Sequence, residues 1–241
     1  MPAGPAREGS RWTFFHGNLQ YISQTSLETM GAKRTARVVL DSLGRTVNEL
    51  VLHEPPPDSL AEFVYRDVTP DGIATAANYV QPYGPTLLRT LGDGGEFVEA
   101  VSSRYVVIWR DSTGARITGV ARPGARGAPL SERQRKYANE VVSSVKRRTR
   151  GAFPFGVPDR HPPLAGIGFD LNGHLWIQHS TPPDAPHEAD VFDRRGRWLS
   201  VVQWPANVQL RGLVVNGKAA LGVAADADGA QSVVRLRISG G

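Results

Sequence analysis

The signature Asp-x-x-Gly recurs five times between short apolar runs, at Asp41–Gly44, Asp111–Gly114, Asp170–Gly173, Asp193–Gly196 and Asp226–Gly229. An aspartate at the first position of a tight turn accepts hydrogen bonds from the amides that follow it. A glycine three residues on supplies the left-handed conformation that a bulged hairpin needs. A chain that repeats this device is built from one recurring β-hairpin unit, which specifies an architecture and leaves the chemistry open.

Strand signals run along the whole chain. Arg37 to Leu40 and Thr46 to Leu52 flank the first signature, with Val47 and Val51 on one face and Leu50 and Leu52 on the other. Tyr105 to Trp109 has no polar alternation, which predicts a strand buried on both faces, leading into Ala115 to Ala121. Gly166 to Asp170 and His174 to Gln178 flank Asn172-Gly173, a strong two-residue hairpin signal. Trp198 to Trp204 alternates as a half-buried strand. A second Asn-Gly pair, Asn216-Gly217, joins Leu213–Val215 to Ala219–Leu221, and Ser232 to Ile238 places Val234, Leu236 and Ile238 on one face.

One stretch reads as a helix, from about 131 to 148. Ser131 and Gln134 form a capping box, and Tyr137, Val141 and Val145 fall on one stripe. The proline- and glycine-rich segments around it make the region 123–163 an insertion between sheets. The net charge of the 241-residue chain is +5, and residues 131–150 alone hold seven basic and two acidic side chains. Arg133, Lys136, Lys146, Arg147, Arg148 and Arg150 are therefore the candidate surface for an anionic partner, although a solvated face is the ordinary state of such an amphipathic surface helix. Only Tyr137 interleaves the cluster, whereas a nucleic-acid surface calls for several stacking aromatics, so nucleic acid is not the expected partner.

The count comes to about 17 short strands joined by hairpins, the pattern of a sandwich, barrel or propeller. Strand groups of about 40 residues separated by proline-rich breaks favour the propeller, whose blades are four-stranded units of that size. The expected fold is thus all-β: a β-propeller of four-stranded antiparallel blades with one inserted surface helix near 131–148. It occupies residues 1–241 as a single domain of about four blades.

The segment GIGFDLNGHLWI at 166–177, followed by DVFDRRGR at 190–197 and SVVRLRI at 232–238, resembles the bacterial six-bladed β-propellers related to NHL-repeat proteins. In that family a blade reads D-x-x-G-x-L-W-V and then V-F-D-x-x-G-R. The resemblance is clearest over 95–238. It implies a propeller and hardly constrains activity, since the frame carries binding proteins, lyases, lactonases and scaffolds. Six blades need about 24 strands, so the resemblance leads us to expect a partial six-bladed ring lacking its first blade or blades. It would be extracytoplasmic if an export signal precedes them, since Met1–Pro5 shows neither a basic nor an apolar signal region.

Catalytic signatures are scarce. Cysteine is absent, which removes disulfides, thiolate metal sites and cysteine nucleophiles. No His-Glu-x-x-His, Gly-x-Ser-x-Gly or phosphate-loop motif occurs. His174 and His179, five apart on one predicted strand, leave opposite faces. His161 and His187 sit in proline-rich loops beside Asp159 and Glu188. Asp170 resembles the start of a calcium loop, but the twelfth position is Thr181, which cannot supply the bidentate carboxylate. Trp109, Trp176, Trp198 and Trp204 fall within strands and are expected to pack between sheets. No cofactor and no metal is expected, no catalytic residue is assigned, and no run is long and apolar enough to span a membrane. The expected function is a binding or interaction module for a protein or small molecule. The alternatives are a propeller hydrolase or lactonase with a metal in the axial channel, and a purely structural domain of a longer protein.

Overall fold

Each Asp-x-x-Gly signature closes a hairpin in the computed structural model, which describes residues 13–15, 18–27, 32–52, 55–56, 59–68, 71–72, 74–215, 219–226 and 228–237. In every one the glycine amide bonds to the aspartate carbonyl, and the aspartate amide bonds to the carbonyl four residues ahead. The aspartate Oδ1 accepts from the amides two and four residues on, at 2.8–3.0 Å. The glycines have φ between +75° and +88°, the left-handed region that side chains resist. Asn172 stays outside that region, so its hairpin is a type I turn closed by a left-handed glycine rather than a two-residue Asn-Gly turn. Gly92–Gly95 forms a sixth turn of the same kind without an aspartate at its head: Gly92 N bonds Glu96 O, Gly95 N bonds Gly92 O, and Gly95 has φ +80°.

Among the described residues these turns link seventeen strands. The first sheet is β1 (Thr13–Phe15), β2 (Asn18–Leu27), β3 (Ala32–Leu40) and β4 (Thr46–Val51), paired in chain order. Next comes a separate hairpin, β5 (Glu62–Val68) with β6 (Ala74–Val80). Two further four-stranded antiparallel sheets follow: β7 (Leu87–Leu91), β8 (Phe97–Val101), β9 (Val106–Arg110), β10 (Arg116–Ala121), then β11 (Leu164–Phe169), β12 (Leu175–His179), β13 (His187–Phe192), β14 (Trp198–Trp204). The last sheet holds β15 (Val208–Val215), β16 (Ala219–Ala225) and β17 (Gln231–Arg237). The Asn216-Gly217 turn and Ile238 lie outside the described residues.

The sheets are arranged as propeller blades. Their first strands lie side by side, β7 against β11 and β11 against β15. Neighbouring sheets also bury their faces on one another. Leu52 packs with Leu91 and Phe97; Val98, Val107 and Trp109 pack with Phe169, Leu175 and Ile177; Ala189 and Trp204 pack with Val208. Burying large aliphatic and aromatic side chains at each seam contributes about 1.5–3 kcal/mol apiece, so the seams hold the sheets together. One seam is also pinned by a buried cation. Arg37 of β3 is 1% exposed and donates to Gly95 O (2.9 Å), Ser112 O (3.0 Å) and Asn48 Oδ1 (3.0 Å), reaching two turns of the next four-stranded sheet.

The helix α1 spans Glu132–Arg148 and starts at the capping box: Gln134 N donates to Ser131 Oγ, and Ser131 N to Gln134 Oε1. Its buried stripe is Ala138, Val142 and Val145, with Val141 at the margin. The stripe read from Tyr137, Val141 and Val145 is corrected by one position, since Tyr137 is exposed and edges onto Tyr83 (ring centroids 6.4 Å apart). What α1 covers is the β5–β6 hairpin, through Phe63, Tyr79 and Phe153. Two insertions far apart in sequence thus build a second small core beside the blades.

Two further readings change. The strand from Tyr105 to Trp109 buries only one face (Tyr105, Val107, Trp109), while Val106 stands 44% exposed. Trp198 is 59% exposed, at the start of β14 where a bulge opposite Phe192 shifts the register. Trp109 and Trp204 are buried and Trp176 is half-buried, as inter-sheet packing requires.

Candidate functional site

Strand β13 breaks the alternation of a half-exposed strand: Ala189, Asp190, Val191 and Phe192 are all buried. A carboxylate among such neighbours needs partners, and Asp190 draws them from both adjoining sheets. Tyr105, just ahead of β9, donates its hydroxyl to Asp190 Oδ2 at 2.5 Å. His179, ending β12, places Nε2 2.8 Å from the same oxygen and Nδ1 3.1 Å from Glu188 Oε1. Arg122, just after β10, lies 3.6 Å away. Gln203 holds the other oxygen of Glu188 at 2.9 Å. Glu188 and Asp190 are two apart on β13 and so share a face, which is why one histidine can bridge them.

Burial pushes the Asp190 carboxyl upward, but the hydrogen bonds from Tyr105 and His179 outweigh it and hold the group below its ordinary value. Burial, reinforced by the bond to Asp190, lifts the Tyr105 hydroxyl well above its ordinary range, so it stays a proton donor. His179 can donate to both carboxylates only as an imidazolium. The network forms the floor of an open cleft between β9–β10 and β13–β14. Arg122 (61% exposed), Trp198 and Val201 stand at its mouth. The floor is fixed by its own bonds, and the mouth offers a guanidinium, an indole face and an aliphatic wall.

Three other histidines, His174, His161 and His187, serve the scaffold. His174 lies in the turn rather than on β12, its Nδ1 3.0 Å from Asp170 Oδ2, and Trp176 donates to the same oxygen at 3.2 Å. Asp170 is therefore occupied by its own hairpin. His161 stacks edge-on against Tyr83 (5.0 Å) and meets Gln134 Oε1 at 3.3 Å; burial lowers its pKa below the ordinary value. His187 opens β13 and packs on Trp204. Among the described residues no three His, Asp or Glu side chains are placed to share a metal ion.

Of the residues that charge singles out, Arg133, Lys136, Lys146, Arg147, Arg148 and Arg150, all six are exposed. They do not form one patch: Arg133 and Lys136 lie in the first turns of α1 and Lys146–Arg148 in the last, on the order of 15–20 Å away at 1.5 Å per residue. Glu140 interrupts the outward face between them, and Arg150 pairs with Asp67 at 3.3 Å. The last-turn cations face the negative end of the helix dipole, where they stabilise α1. The helix is not long and apolar enough to cross a membrane, nor is any other among the described residues.

Sequence reasoning did not single out Tyr105, Arg122 or Asp190, and of His179 it gave only that its side chain leaves the face opposite to His174. The one available signal was an aspartate inside the apolar run Ala189–Phe192, hidden because the same residue opens the DVFDRRGR motif.

No protein-family model and no curated protein matches the chain. Among solved structures it is similar to a protein of unknown function from Bacteroides caccae (12% identity over 97% of this chain and 59% of that one, TM-score 0.30). It is also similar to a eukaryotic initiation factor (8% over 95% and 53%, TM-score 0.42) and to virginiamycin B lyase from Staphylococcus aureus (11% over 94% and 69%, TM-score 0.33). The chain spans 59% and 53% of the length of the first two. The propeller assignment stands on the sheet order and seams described above.

Proposed function

We propose that this chain is a binding module whose sheets are blades of the six-bladed, NHL-like type, and that its ligand enters the cleft between β9–β10 and β13–β14. The observation that carries the reading is the division of labour there. Asp190, His179 and Glu188 are engaged by one another and by Tyr105 and Gln203, while Arg122 and Trp198 remain exposed above them. A hydrolase needs a base free to take a proton from substrate or water. Here the histidine and both acids are tied into the seam between sheets, which supports recognition over catalysis. The mouth suits a small ligand with a planar group to lie on the indole and an acceptor for the guanidinium.

Ligand-observed NMR against a library of small polar and aromatic compounds tests this. Compounds that bind should lose binding to both Arg122→Ala and Trp198→Ala, with the fold intact by circular dichroism. Binding that survives both substitutions would place the ligand elsewhere and overturn the reading.

A further inference from the structure

Every sheet edge is a row of unpaired amides and carbonyls that another strand can join, and proteins guard such edges with charge, proline or a bulge. Among the described edge strands with placed side chains, the guards are easy to find. Strand β4 carries Glu49 and an irregular register against β3; β10 carries Arg116 and a bulge; β14 is bulged against β13; β17 carries Arg235 and Arg237; β5 carries Glu62, Arg66 and Asp67. Strand β6, Ala74-Thr75-Ala76-Ala77-Asn78-Tyr79-Val80, has no charge, no proline and an unbroken register. Among the described residues it pairs only with β5, and Ala74, Thr75, Ala76, Asn78 and Val80 are exposed. The α1 core takes the other face, through Tyr79.

We infer that the free edge of β6 pairs with β6 of a second copy of this chain, antiparallel about a two-fold axis at Ala77. The residues of β6 select this occupant. About that axis Ala74 faces Val80, Thr75 faces Tyr79 and Ala76 faces Asn78, so no charge meets a like charge, and three small alanines allow close approach. Both faces also stay in phase: the Tyr79 side continues toward the α1 core of each copy, and the outward side, with Val80 on β6 and Val64 and Val68 behind it on β5, runs on as one face. The two-stranded sheet, a unit too small to be stable by itself, becomes a four-stranded β5–β6–β6–β5 sheet. A seam of one strand per copy buries less than a standard interface, so the dimer dissociates on dilution.

Sedimentation velocity on the full chain, from low to high micromolar concentration, should show a monomer passing to a dimer. Ala76→Lys puts a cation on each copy at an exposed position, opposite Arg66 of its own β5, and should lower the melting temperature slightly while leaving the fold intact by circular dichroism and the protein monomeric; Asn78→Glu, opposite Val64, should give a monomer with the melting temperature less changed. Mixing the two variants sets the introduced lysine of one copy against the introduced glutamate of the other and should restore a dimer of one of each. A wild-type protein that stays monomeric throughout overturns the inference. So does an Ala76→Lys variant that still dimerises, which would point to another edge, or a mixture that stays monomeric, which would contradict the Ala77 axis.

Discussion

Glu96 holds its carboxyl group over Gly92, so close that a β-carbon on Gly92 would stand 2.7 Å from the carboxyl carbon. In the five signature turns the carboxylate over the turn belongs to the first residue. Here it comes from the fifth, and the first must be glycine to make room. Gly94 is crowded by the same group, with Glu96 Oε2 pressed against its β-carbon position. Arg194, from a turn of the next sheet, approaches Glu96 at 3.8 Å.

Gly92→Ala should therefore destabilise the protein by about 1–3 kcal/mol, the usual cost of overpacking a filled site. Gly44→Ala, where no atom crowds the β-carbon, serves as the comparison, since its only penalty is its φ of +75°. Urea unfolding of the pair measures the difference. No loss at Gly92, beside the backbone penalty at Gly44, would show that Glu96 swings away at no cost.

Tyr105 and Asp190 bind the second and third four-stranded sheets across 85 positions of sequence. Tyr105→Phe should cost about 1–2 kcal/mol, as expected for losing one partner of a buried acceptor. Asp190→Ala strands Tyr105 and His179 together and should cost about 3–5 kcal/mol. A double-mutant cycle in equilibrium unfolding should give a coupling of at least about 1 kcal/mol. Additive losses would remove the bond from the energetics of the seam.

Acid should unfold the protein through these same carboxylates. Asp190 lies below its ordinary value of 3.8, so its contribution is complete above that value and is lost as pH falls through its lower folded value. Asp41 and Asp193, held down chiefly by the amides of Arg45 and Arg197, and Asp111, held down chiefly by the Thr113 hydroxyl, share that sign. The acid limb should thus lie below about pH 4, the unfolded carboxyl value, and should be shallower in Asp190→Asn. Unfolding free energies measured at steps of pH check both points.

His161 works in a higher window. Burial lowers its pKa from 6.5, so the unfolded chain takes up a proton first, and stability falls as pH drops below 6.5 toward the folded value. His161→Gln should remove that part of the slope and leave the carboxylate limb unchanged. A profile identical to wild type between neutrality and pH 5 would count against it.

The outward face of α1 should prove energetically quiet. Replacing Arg133 or Lys136 with serine should change stability by less than about 0.5 kcal/mol, while each of Lys146, Arg147 and Arg148 should cost about 0.3–1 kcal/mol through the helix dipole. Thermal melts at low and high salt separate the groups, because only the second loses its effect as salt rises. Retention on anionic vesicles that fades with salt and is abolished by the Lys146–Arg148 substitutions would identify the helix as an anionic-partner surface.

What was legible in the sequence is what depends on neighbours in the chain. Each signature turn is made by residues within four positions of one another, and the capping box by Ser131 and Gln134, so spacing alone located the hairpins and the helix start. The Gly92 turn escaped because its carboxylate stands at the fifth position. The helix stripe slipped from Tyr137 to Ala138 because its partner surface, the β5–β6 hairpin, lies more than fifty residues away and is invisible to periodicity. The Asp190 cluster draws on residues 105, 122, 179, 188 and 198, which nothing but the meeting of two sheets brings together. Arg37 read as an ordinary strand residue, since two of its acceptors are backbone carbonyls, which any residue could provide.

Arg37 also sets a schedule for making the protein. Its acceptor at Ser112 lies 75 residues downstream and the one at Gly95 lies 58. At about 5–20 residues per second the ribosome delivers Ser112 roughly 4–15 s after Arg37. Until Gly95 is made neither carbonyl exists, and until Ser112 is made one is still missing, so burying the guanidinium earlier would leave a charge short of acceptors. The first sheet therefore waits on the next, and the N-terminal part of the chain docks onto a sheet completed after it.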